Sequence, residues 1–410
     1  MTPDPTTLDV ARLRAAFPAL DGPTAYFDGP GGTQTPAVVG EAIARAMTGP
    51  MSNRGSGSVS QRNADATVQA FRAAYADLLV TPVDGIVHGR SATQLTYDFS
   101  RALAKTWSSG DNVVVSRLDH DANVRPWVQA ADARGIEVRW LELDPETAEL
   151  DLASLAVIDD RTRLVALAGA SNLLGTIPPV RTVADRAHEV GALLHVDGVH
   201  LTAHRLPDPG ALGADLYVCS PYKFFGPHCG VLAADPALLE TIRPDKLAPS
   251  TDRVPERFEL GTLPYEQLAG ATAAVDFLAD LPGVPTATGS RRERLATSAE
   301  AVHAYELGLR ERLETGLAGF GDRVVVHSRA ADRTPTLFLT FPGRRSADVS
   351  EGLLAHDVLA PAGSFYAVEP YRALGLDGDG GDGGVRVGLA AYTDAEEVDR
   401  LLAGLATLLD

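Results

Sequence analysis

Short apolar runs alternate along this chain with longer segments in which apolar residues recur every three to four positions. Asn112–Ser116, Leu193–Asp197 and Gly230–Ala234 are apolar or nearly apolar runs of strand length. Ala64–Leu79 instead carries its apolar residues at helical spacing, which indicates an amphipathic helix. From Gly85 onward the two kinds of segment alternate, and this alternation is typical of a parallel sheet with helices packed on its faces.

The pattern changes near residue 290, where a long amphipathic segment begins. Arg291–Leu317 predicts a long helix, and Thr336–Phe341 is one of the strand-like runs that follow it. We therefore predict a large α/β domain over residues 21–290 and a smaller α+β domain over residues 291–410. The N-terminal segment, residues 1–20, is expected to belong to the small domain.

Charge and length exclude several classes of function. The chain has 410 residues, with 36 basic and 54 acidic side chains and a formal net charge of −18. Nucleic acids and anionic membranes select basic surfaces, so we expect neither as a partner. The N-terminus shows no basic region followed by an apolar core, and no apolar run approaches the ~20 residues that span a bilayer. These features predict a cytoplasmic protein.

No metal site is predicted from the cysteines or from the acidic segments. Cys219 and Cys229 are too few for a disulfide framework or a thiolate metal site, and a buried structural role is expected of both. Asp377–Gly384 is rich in aspartate and glycine, but it lacks the spacing and the terminal glutamate of a calcium loop. We interpret it as a linker.

Candidate chemistry begins with Lys223, at the centre of the stretch Tyr217–Gly226. An apolar run ends here at Ser220 and Pro221, and aromatic residues flank the lysine on both sides. Desolvation disfavours the ammonium form and makes the neutral, nucleophilic amine accessible, as a Schiff-base lysine requires. A surface lysine in a turn is the alternative for this stretch taken alone.

Asp197 favours the first interpretation, because it ends the apolar run Leu193–Asp197 and precedes Gly198. A carboxylate at a strand end can hold a proton on the ring nitrogen of pyridoxal phosphate, so that the ring accepts electrons. Such an aspartate can also cap a helix or bind a metal. The pairing of Asp197 with Lys223 at the end of a second strand is much more specific than either residue alone.

With these residues the chain resembles the fold-type I pyridoxal 5'-phosphate enzymes, and more narrowly the class V aminotransferase family in its cysteine-desulfurase-like branch. The resemblance extends from Tyr26–Thr33 to Val385–Tyr392. It implies an α/β fold in which a large domain with a mostly parallel, seven-stranded-type sheet carries a smaller α+β C-terminal domain. It also implies a homodimer with a shared active site and a small amino-acid substrate.

The resemblance implies a role for several further residues. Lys223, His120 and Asp197 would be catalytic, with the His120 ring stacked on the cofactor ring. His200 would reach the phenolic oxygen of the cofactor. The other residues expected to bind the cofactor are Ser91, Ala92 and Thr93 at a helix N-terminus that suits a phosphate, together with Asn172, Ser220, Tyr222 and Thr262.

A second group of residues would bind the substrate. Arg386 matches the family's anchor for the α-carboxylate, which a guanidinium holds through two hydrogen bonds. Gly31 and Gly32 lie in a glycine-rich loop that would approach the carboxylate with its backbone. Tyr366 is also expected to bind the substrate. Arg54, and Thr262 among the cofactor-binding residues, are expected to reach the active site of the partner subunit.

The chain departs from its relatives at one important position. Cysteine desulfurases carry the extracted sulfur on a cysteine of a C-terminal loop, and here that loop is Gly363–Ala367, with Tyr366 near the expected place of the thiol. A phenol cannot hold a persulfide. Three functions stay open: a β-eliminating carbon–sulfur lyase without persulfide storage, an aminotransferase or epimerase, and a pyridoxal-phosphate-binding protein without turnover.

Overall fold

The computed structural model describes residues 8–285, 288–377 and 383–410. The helices that position the site are numbered in chain order: α1 Val10–Arg14, α2 Ala37–Thr48, α3 Val59–Leu79, α4 Ala92–Ala104, α5 Arg125–Arg134, α6 Val180–Glu189, α7 Pro209–Leu212, α8 Pro236–Thr241, α9 Tyr265–Ala279, α10 Arg291–Ala318, α11 Ser346–Leu354, α12 Val368–Ala373 and α13 Ala395–Leu409. In these ranges no helix combines the length and the apolar character needed to cross a membrane.

The strands are numbered in the same way: β1 Ala25–Tyr26, β2 Ile86–Gly89, β3 Asn112–Ser116, β4 Glu137–Leu141, β5 Thr162–Ala168, β6 Leu193–Asp197, β7 Leu216–Cys219, β8 Gly230–Ala234, β9 Val325–Val326, β10 Thr336–Thr340, β11 Val358–Leu359, β12 Ala362–Gly363 and β13 Gly384–Gly388. Most of the predicted linker Asp377–Gly384, namely residues 378–382, lies outside the described residues.

A seven-stranded sheet in the order β2-β8-β7-β6-β5-β3-β4 forms the centre of the molecule. Strands β4, β3, β5, β6 and β7 pair in parallel, whereas β8 is antiparallel to both of its neighbours, β7 and β2. The predicted α/β fold with a mostly parallel sheet is confirmed.

Helices cover both faces of this sheet, which explains why its strands are apolar on both sides. In β3, Val114 belongs to the core that α3, α6 and α9 share with one face of the sheet. Its neighbours Val113 and Val115 belong to the opposite core, beneath α4 and α5. Side chains alternate between the two faces of a strand, so a strand that is buried on both faces reads as a continuous apolar run.

A second, four-stranded sheet in the order β12-β13-β10-β9 lies near the C-terminus. Its core is closed by α10, α11 and α13, and it also includes Ala25 and Phe27 from the beginning of the chain. Strand β1 pairs in parallel with β11, so that residues 25–26 hydrogen-bond to the C-terminal part of the molecule.

The N-terminal segment packs between the two larger parts of the molecule. Leu13 and Phe17 share a core with Phe225 and Phe277 beside the large sheet and with Tyr392 beside the small one. The ring centroids of Phe17 and Tyr392 lie 5.3 Å apart. This segment therefore contacts both parts, and the assignment of residues 1–20 to the small domain stays a prediction.

The carboxyl ends of the parallel strands meet along one edge of the large sheet. Strand β5 ends at Ala168, β6 at Asp197 and β7 at Cys219, next to Ser220. In open α/β sheets this edge is where ligands bind. The polar residues predicted from the sequence are therefore brought together at this edge.

Candidate active site

Two adjoining cavities lie at this edge of the sheet, and Lys223 lines both of them. The inner cavity is lined mainly by strand ends and by the beginning of α4: Ser91, Ala92, Thr93, His120, Ala122, Ala168, Ala170, Asn172, Asp197, Val199, His200, Ser220, Tyr222 and Lys223. The outer cavity has a volume of about 580 Å³ and is lined by Pro30, Gly31, Thr93, Tyr97, His120, Asp121, Ala122, Arg125, Asn172, Tyr222, Lys223, Phe365, Tyr366 and Arg386.

Lys223 lies in the wall that the two cavities share. It ends a short 3₁₀ turn, Pro221–Lys223, immediately after β7, and its Nζ donates a hydrogen bond to the carbonyl of Pro30. Burial, together with the positive charge of Arg386, lowers the pKa of Lys223 to about 7, against the opposing effect of Asp197. A large fraction of this amine is therefore neutral, and hence nucleophilic, near neutral pH.

Asp197 lines the inner cavity at the end of β6. Its Oδ1 accepts a hydrogen bond from the backbone N–H of Val199 at 2.9 Å, which fixes the carboxylate at the strand end. Burial raises its pKa to about 6. The ring of Tyr217 lies where a Cβ on Gly198 would be, 1.9 Å from the Tyr217 Cζ atom. Glycine at this position therefore allows the turn after Asp197 to pack directly on that ring.

The N-terminus of α4 forms part of the wall of the inner cavity, which Ser91, Ala92 and Thr93 line. Ser91 is the N-cap, and its side chain accepts a hydrogen bond from the N–H of Gln94 at 3.0 Å. Gly230 packs against this turn so closely that a Cβ would lie 2.3 Å from the carbonyl carbon of Ser91. The first N–H groups of α4, together with the helix dipole, suit an anion such as a phosphate.

His120 lines both cavities. Its Nδ1 accepts a hydrogen bond from the N–H of Ala122 at 3.0 Å, so the neutral ring carries its proton on Nε2. Burial and the nearby charge of Lys223 lower its pKa to about 4. Its ring stacks on that of Tyr366, with the centroids 5.6 Å apart and the planes at 28°. His120 is therefore neutral at physiological pH.

His200 and Asn172 place unpaired polar atoms in the wall of the inner cavity. The His200 Nε2 atom lies 3.0 Å from the Thr334 hydroxyl and 3.1 Å from the Thr336 hydroxyl. His200 Nδ1 and Asn172 Oδ1 are buried and have no hydrogen-bond partner among the described residues. Burying an unpaired polar group is costly, so both atoms indicate that a ligand completes their hydrogen bonds.

Arg386 reaches the outer cavity from the central part of β13. Its Nη1 donates to the carbonyl of Asn172 at 3.1 Å, and its guanidinium lies 3.9 Å from the centroid of the Phe365 ring. Burial lowers its pKa to about 10, while Asp28 opposes the shift. A Cβ on Gly31 would approach Nη2 to 3.4 Å, so the glycine-rich loop lies directly against the guanidinium.

Three of the predicted site residues lie outside both cavities of the single chain. Gly32 packs against the Tyr222 ring, with 3.2 Å between a Cβ placed there and Cδ2 of the ring. Arg54 is ion-paired with Asp65 at 2.8 Å and with Glu256 at 3.1 Å. Thr262 is exposed. The contributions expected from Arg54 and Thr262 involve a partner subunit and stay predictions.

The structure also adds residues that the sequence did not reveal. Tyr97 on α4, Asp121 after His120, Arg125 at the beginning of α5 and Phe365 all line the outer cavity. Asp119 lies beneath the site, where burial raises its pKa to about 8 while Asn123 donates to it at 2.6 Å. In the sequence, the position of Asp119 next to His120 was the one indication that it belongs to the site. Nothing in the sequence showed that Tyr97 and Arg125 face the same cavity.

Hydrogen bonds attach the loop Gly363–Ala367 to the segments that follow β3 and β5 of the large sheet. The carbonyl of Tyr366 accepts a hydrogen bond from the Asp121 N–H at 2.8 Å, and that of Phe365 accepts one from Asn172 Nδ2 at 3.0 Å. Phe365 and Tyr366 both have left-handed backbones, with φ of 54° and 56°. Two successive non-glycine residues in the left-handed conformation are strained, and the two hydrogen bonds stabilise the loop against that strain.

An ion-pair network extends this attachment to α12. Glu369 is buried, and Arg117 donates to it at 2.7 Å, while Arg125 lies 3.6 Å away. Arg125 also pairs with Asp121 at 2.8 Å.

In the described part of the chain, no group of histidine, cysteine, aspartate and glutamate side chains is arranged to hold a metal ion.

Solved structures define the class of protein. The crystal structure of the cysteine desulfurase CsdA from Escherichia coli matches with a TM-score of 0.85 at 26% sequence identity, covering 98% of this chain and 99% of that one. The doubly wound sheet and this likeness define a pyridoxal-phosphate-dependent enzyme of fold type I.

Sequence comparisons then give the family. The family model described as Aminotransferase class-V matches residues 25–401. An uncharacterised protein of Mycobacterium tuberculosis is 32% identical over 402 residues, covering 98% of this chain and 99% of that protein. A cysteine desulfurase of Pectobacterium carotovorum is 30% identical over 419 residues, covering 97% of each. The chain belongs to the aminotransferase class-V family, in its cysteine-desulfurase-like branch, and pyridoxal 5'-phosphate is the cofactor of this family.

The inner cavity fits this cofactor chemically. It combines a helix N-terminus for a phosphate, the buried carboxylate of Asp197 for a ring nitrogen, and the partly neutral amine of Lys223 for an aldehyde. The unpaired Nδ1 of His200 and Oδ1 of Asn172 provide two further polar contacts in its wall. Residues of the kinds that the cofactor requires thus surround one cavity.

Proposed function

We propose that this enzyme is a carbon–sulfur β-lyase that acts on cysteine or a cysteine derivative and releases the sulfur without storing it on the protein. The observation that carries the proposal is the loop Gly363–Ala367, which brings Tyr366 rather than a thiol to the outer cavity. Neither Cys219 nor Cys229 lines either cavity of the described chain. The relatives named cysteine desulfurases support chemistry at a carbon–sulfur bond.

Both cysteines are chemically protected from a role in sulfur transfer. Cys219 ends β7 inside the core, and Cys229 precedes β8 with 1% of its surface exposed. Burial raises the pKa of Cys219 well above its usual value and that of Cys229 to about 12. Since the thiolate is the nucleophile in sulfur transfer, both thiols should be inert.

The residues of the two cavities divide the work of binding and proton transfer. When bound, the cofactor withdraws electrons from Cα of an amino acid and weakens the bonds to that carbon. The N–H groups around Ala92 and Thr93 would hold its phosphate, and Asp197 would hold the proton on its ring nitrogen. Arg386 would bind the α-carboxylate from the outer cavity, with the backbone of Gly31 alongside it.

Lys223 and His120 would then move protons at the substrate. A neutral Lys223 Nζ can take the proton from Cα, and the Cβ–S bond breaks with its electron pair leaving on sulfur. The sulfur takes up a proton and departs as a thiol or as sulfide, and water converts the remaining three-carbon fragment into pyruvate and ammonium. His120, neutral and protonated on Nε2, can donate a proton in this part of the site.

We also propose that the active unit is a homodimer in which the partner completes the site. Arg54 and Thr262 lie outside the cavities of their own chain, and the family resemblance assigns both to the neighbouring active site. Analytical ultracentrifugation should therefore show a dimer. A Thr262→Val variant should bind the cofactor more weakly without losing its fold, and a monomer with full activity would contradict this part of the proposal.

A product analysis tests the reaction. The holoenzyme is incubated with a panel of amino acids that includes L-cysteine and S-substituted cysteines, and pyruvate, thiol and optical rotation are followed. Pyruvate formed in equal amount with thiol or sulfide is the expected result. A 2-oxo acid that keeps the substrate's whole side chain would instead identify an aminotransferase, loss of optical rotation alone an epimerase, and no change with any substrate a binding protein.

A further inference from the structure

The outer cavity is much larger than a cysteine side chain requires. Its volume is about 580 Å³, whereas sites that enclose drug-sized ligands span about 300–1,000 Å³. The inner cavity already offers the contacts that the cofactor needs, and Arg386 marks the place of the α-carboxylate. The inner cavity measures only about 80 Å³, and both cavities are lined by Thr93, His120, Ala122, Asn172, Tyr222 and Lys223. Part of the outer volume therefore belongs to the cofactor, and the part beside Phe365, Tyr366 and Arg125 is open to the rest of the substrate.

Aromatic side chains form much of the wall of the outer cavity, and they are held in place. The Tyr222 ring stacks on His228 with the centroids 4.6 Å apart and the planes at 7°. Phe365 packs against the guanidinium of Arg386 and lies edge-on to Phe338, with the centroids 6.4 Å apart. Fixed aromatic faces favour planar or bulky apolar groups, because little side-chain freedom is lost when such a group binds.

Tyr366 contributes a fourth aromatic ring, after Tyr97, Tyr222 and Phe365, and it lies at the mouth of the cavity. Its side chain is largely exposed, at 75% of its maximum, so packing within the described chain does not explain an aromatic residue here. Its strained backbone is nevertheless held by Asp121, and its ring stacks on His120. A ring kept in this position is available to cover a ligand that extends out of the site.

The charged groups that the beginning of α5 and the turn before it contribute to the outer cavity, Arg125 and Asp121, are already matched. Arg125 pairs with Asp121 and lies close to Glu369, so its charge is neutralised within the protein. A second anionic group on the substrate would have to compete with these two carboxylates. The part of the wall around Arg125 and Asp121 therefore suits an uncharged substituent better than an acidic one.

From these observations we infer that the outer cavity is a subsite for a bulky, uncharged and preferably aromatic substituent on the substrate sulfur. The inference rests on the proposed lyase function, and it names the substrate class as S-substituted cysteines rather than free cysteine. The overall reaction takes up one water molecule: the Cβ–S bond breaks, and the products are the substituent's thiol, pyruvate and ammonium.

Steady-state kinetics of the holoenzyme test the substrate class. S-benzyl-L-cysteine is compared with S-methyl-L-cysteine and L-cysteine by measuring pyruvate release. A single methylene in an apolar pocket changes kcat/KM by about 10–200-fold, so we expect S-benzyl-L-cysteine to exceed S-methyl-L-cysteine by at least about 10-fold. Equal values for the two, or a preference for free cysteine, would overturn the inference.

Variants of Tyr366 locate the effect. Tyr366→Ala should lower kcat/KM for S-benzyl-L-cysteine by about 10-fold and leave that for S-methyl-L-cysteine within about twofold, since only the larger substrate reaches the ring. Tyr366→Phe keeps the ring and should behave as wild type. Leu354→Ala, at an exposed apolar residue of α11, serves as the control. An equal loss for both substrates would assign Tyr366 to another role.

A binding experiment separates the subsite from the reaction. L-2-amino-5-phenylpentanoate has the shape of S-benzyl-L-cysteine but no leaving group at Cβ, and L-2-aminopentanoate is its matched control. Calorimetric titration of the holoenzyme should show at least about 10-fold tighter binding of the phenyl compound. Tight binding of the phenyl compound without cleavage of any thioether would contradict the proposed function but support the subsite. Cleavage of thioethers without this binding preference would support the proposed function but contradict the subsite.

Discussion

The inner and the outer cavity share Lys223, but they are built from different parts of the fold. The inner cavity is lined by residues at the ends of β5, β6 and β7 and at the beginning of α4, all attached to the large sheet. The outer cavity takes Arg386 from β13 and Phe365 and Tyr366 from a strained loop. The residues expected to carry the chemistry therefore belong to the large sheet, whereas several of those expected to contact the substrate come from the C-terminal part of the chain.

Electrostatics distinguishes the groups around Lys223 from the ion pair in the wall of the outer cavity. Burial moves the pKa of Lys223 to about 7, that of Asp197 to about 6 and that of His120 to about 4. In the wall of the outer cavity, Arg125 and Asp121 instead form an ion pair at 2.8 Å. Shifted pKa values are typical of groups that transfer protons, and matched ion pairs of groups that maintain a shape.

Replacement of Lys223 should have the largest effect of all. Lys223→Ala removes the amine that would hold the cofactor covalently, so turnover should fall by at least about 10³-fold. The visible absorption of the bound cofactor should change, and borohydride should no longer fix cofactor to the protein. Lys105→Ala, which removes a lysine that pairs with Asp245 at 2.7 Å, is the control. A borohydride-stable adduct in the Lys223→Ala protein would contradict the assignment.

The second prediction concerns Asp197 and separates chemistry from binding. Asp197→Asn keeps the size of the side chain, but an amide cannot keep the ring nitrogen protonated. Turnover should fall by about 100-fold or more, while the cofactor content falls much less, because the phosphate contacts remain. Cofactor content is measured by absorbance after release, and turnover by pyruvate formation. Near-normal turnover in the variant would remove Asp197 from the mechanism.

The pH dependence of cofactor capture tests the environment of Lys223. Only the neutral amine reacts, and a pKa lowered to about 7 means that its neutral fraction rises about 10-fold between pH 6 and pH 8. Apoprotein mixed with the cofactor should therefore react faster as the pH rises and reach a plateau above about pH 8. Arg386→Gln removes a charge that lowers this pKa, so the rise should move to higher pH. A rise that begins only near pH 10 would show an ordinary, solvated lysine.

A smaller effect is expected from the ion-pair network that holds the outer cavity. Glu369→Gln removes the buried charge that pairs with Arg117, which should destabilise the protein by about 1–3 kcal/mol. The cofactor content should stay unchanged, and kcat/KM for a bulky substrate should fall several-fold. Glu142→Gln removes the more exposed carboxylate that contacts the same arginine at 2.8 Å, and its effect should be smaller. Equal destabilisation in denaturant by both variants would contradict a special role for Glu369.

The smallest effect is expected from removing both thiols. The Cys219→Ala/Cys229→Ala protein should keep its turnover within about twofold, with a loss of stability of about 1–2 kcal/mol from the lost packing. Mass spectrometry of the wild type after a single turnover should show no added sulfur. A mass increase of one sulfur atom on either cysteine would restore a persulfide mechanism.

The sequence predicted the strands of the large sheet well, and the residues expected at the site lie at the ends of these strands for the same physical reason. The boundaries predicted for Asn112–Ser116, Leu193–Asp197 and Gly230–Ala234 agree with β3, β6 and β8. Burial on both faces makes these strands apolar throughout, and a polar residue at the end of such a run stands out. Asp197 could be recognised for that reason, and so could the stretch around Lys223.

Helix boundaries and the outer cavity were less predictable. Helix α3 begins at Val59 rather than Ala64, because Ser58 and Gln61 form a capping box, a signal that the apolar spacing does not contain. Tyr97 and Arg125 lie on different helices, and only the packing of α4 against α5 brings them to one wall. The division into domains stays a prediction, since the N-terminal segment contacts both parts.

The left-handed backbone at Tyr366 has a consequence for the evolution of this protein. Glycine adopts this conformation freely, so Tyr366→Gly would relax strain of the order of 1 kcal/mol. The same change would remove the ring from the mouth of the cavity. If Tyr366 discriminates between substrates as proposed, stability and discrimination oppose each other at this one position. A laboratory selection for thermal tolerance should then enrich glycine here while it broadens the range of accepted substrates.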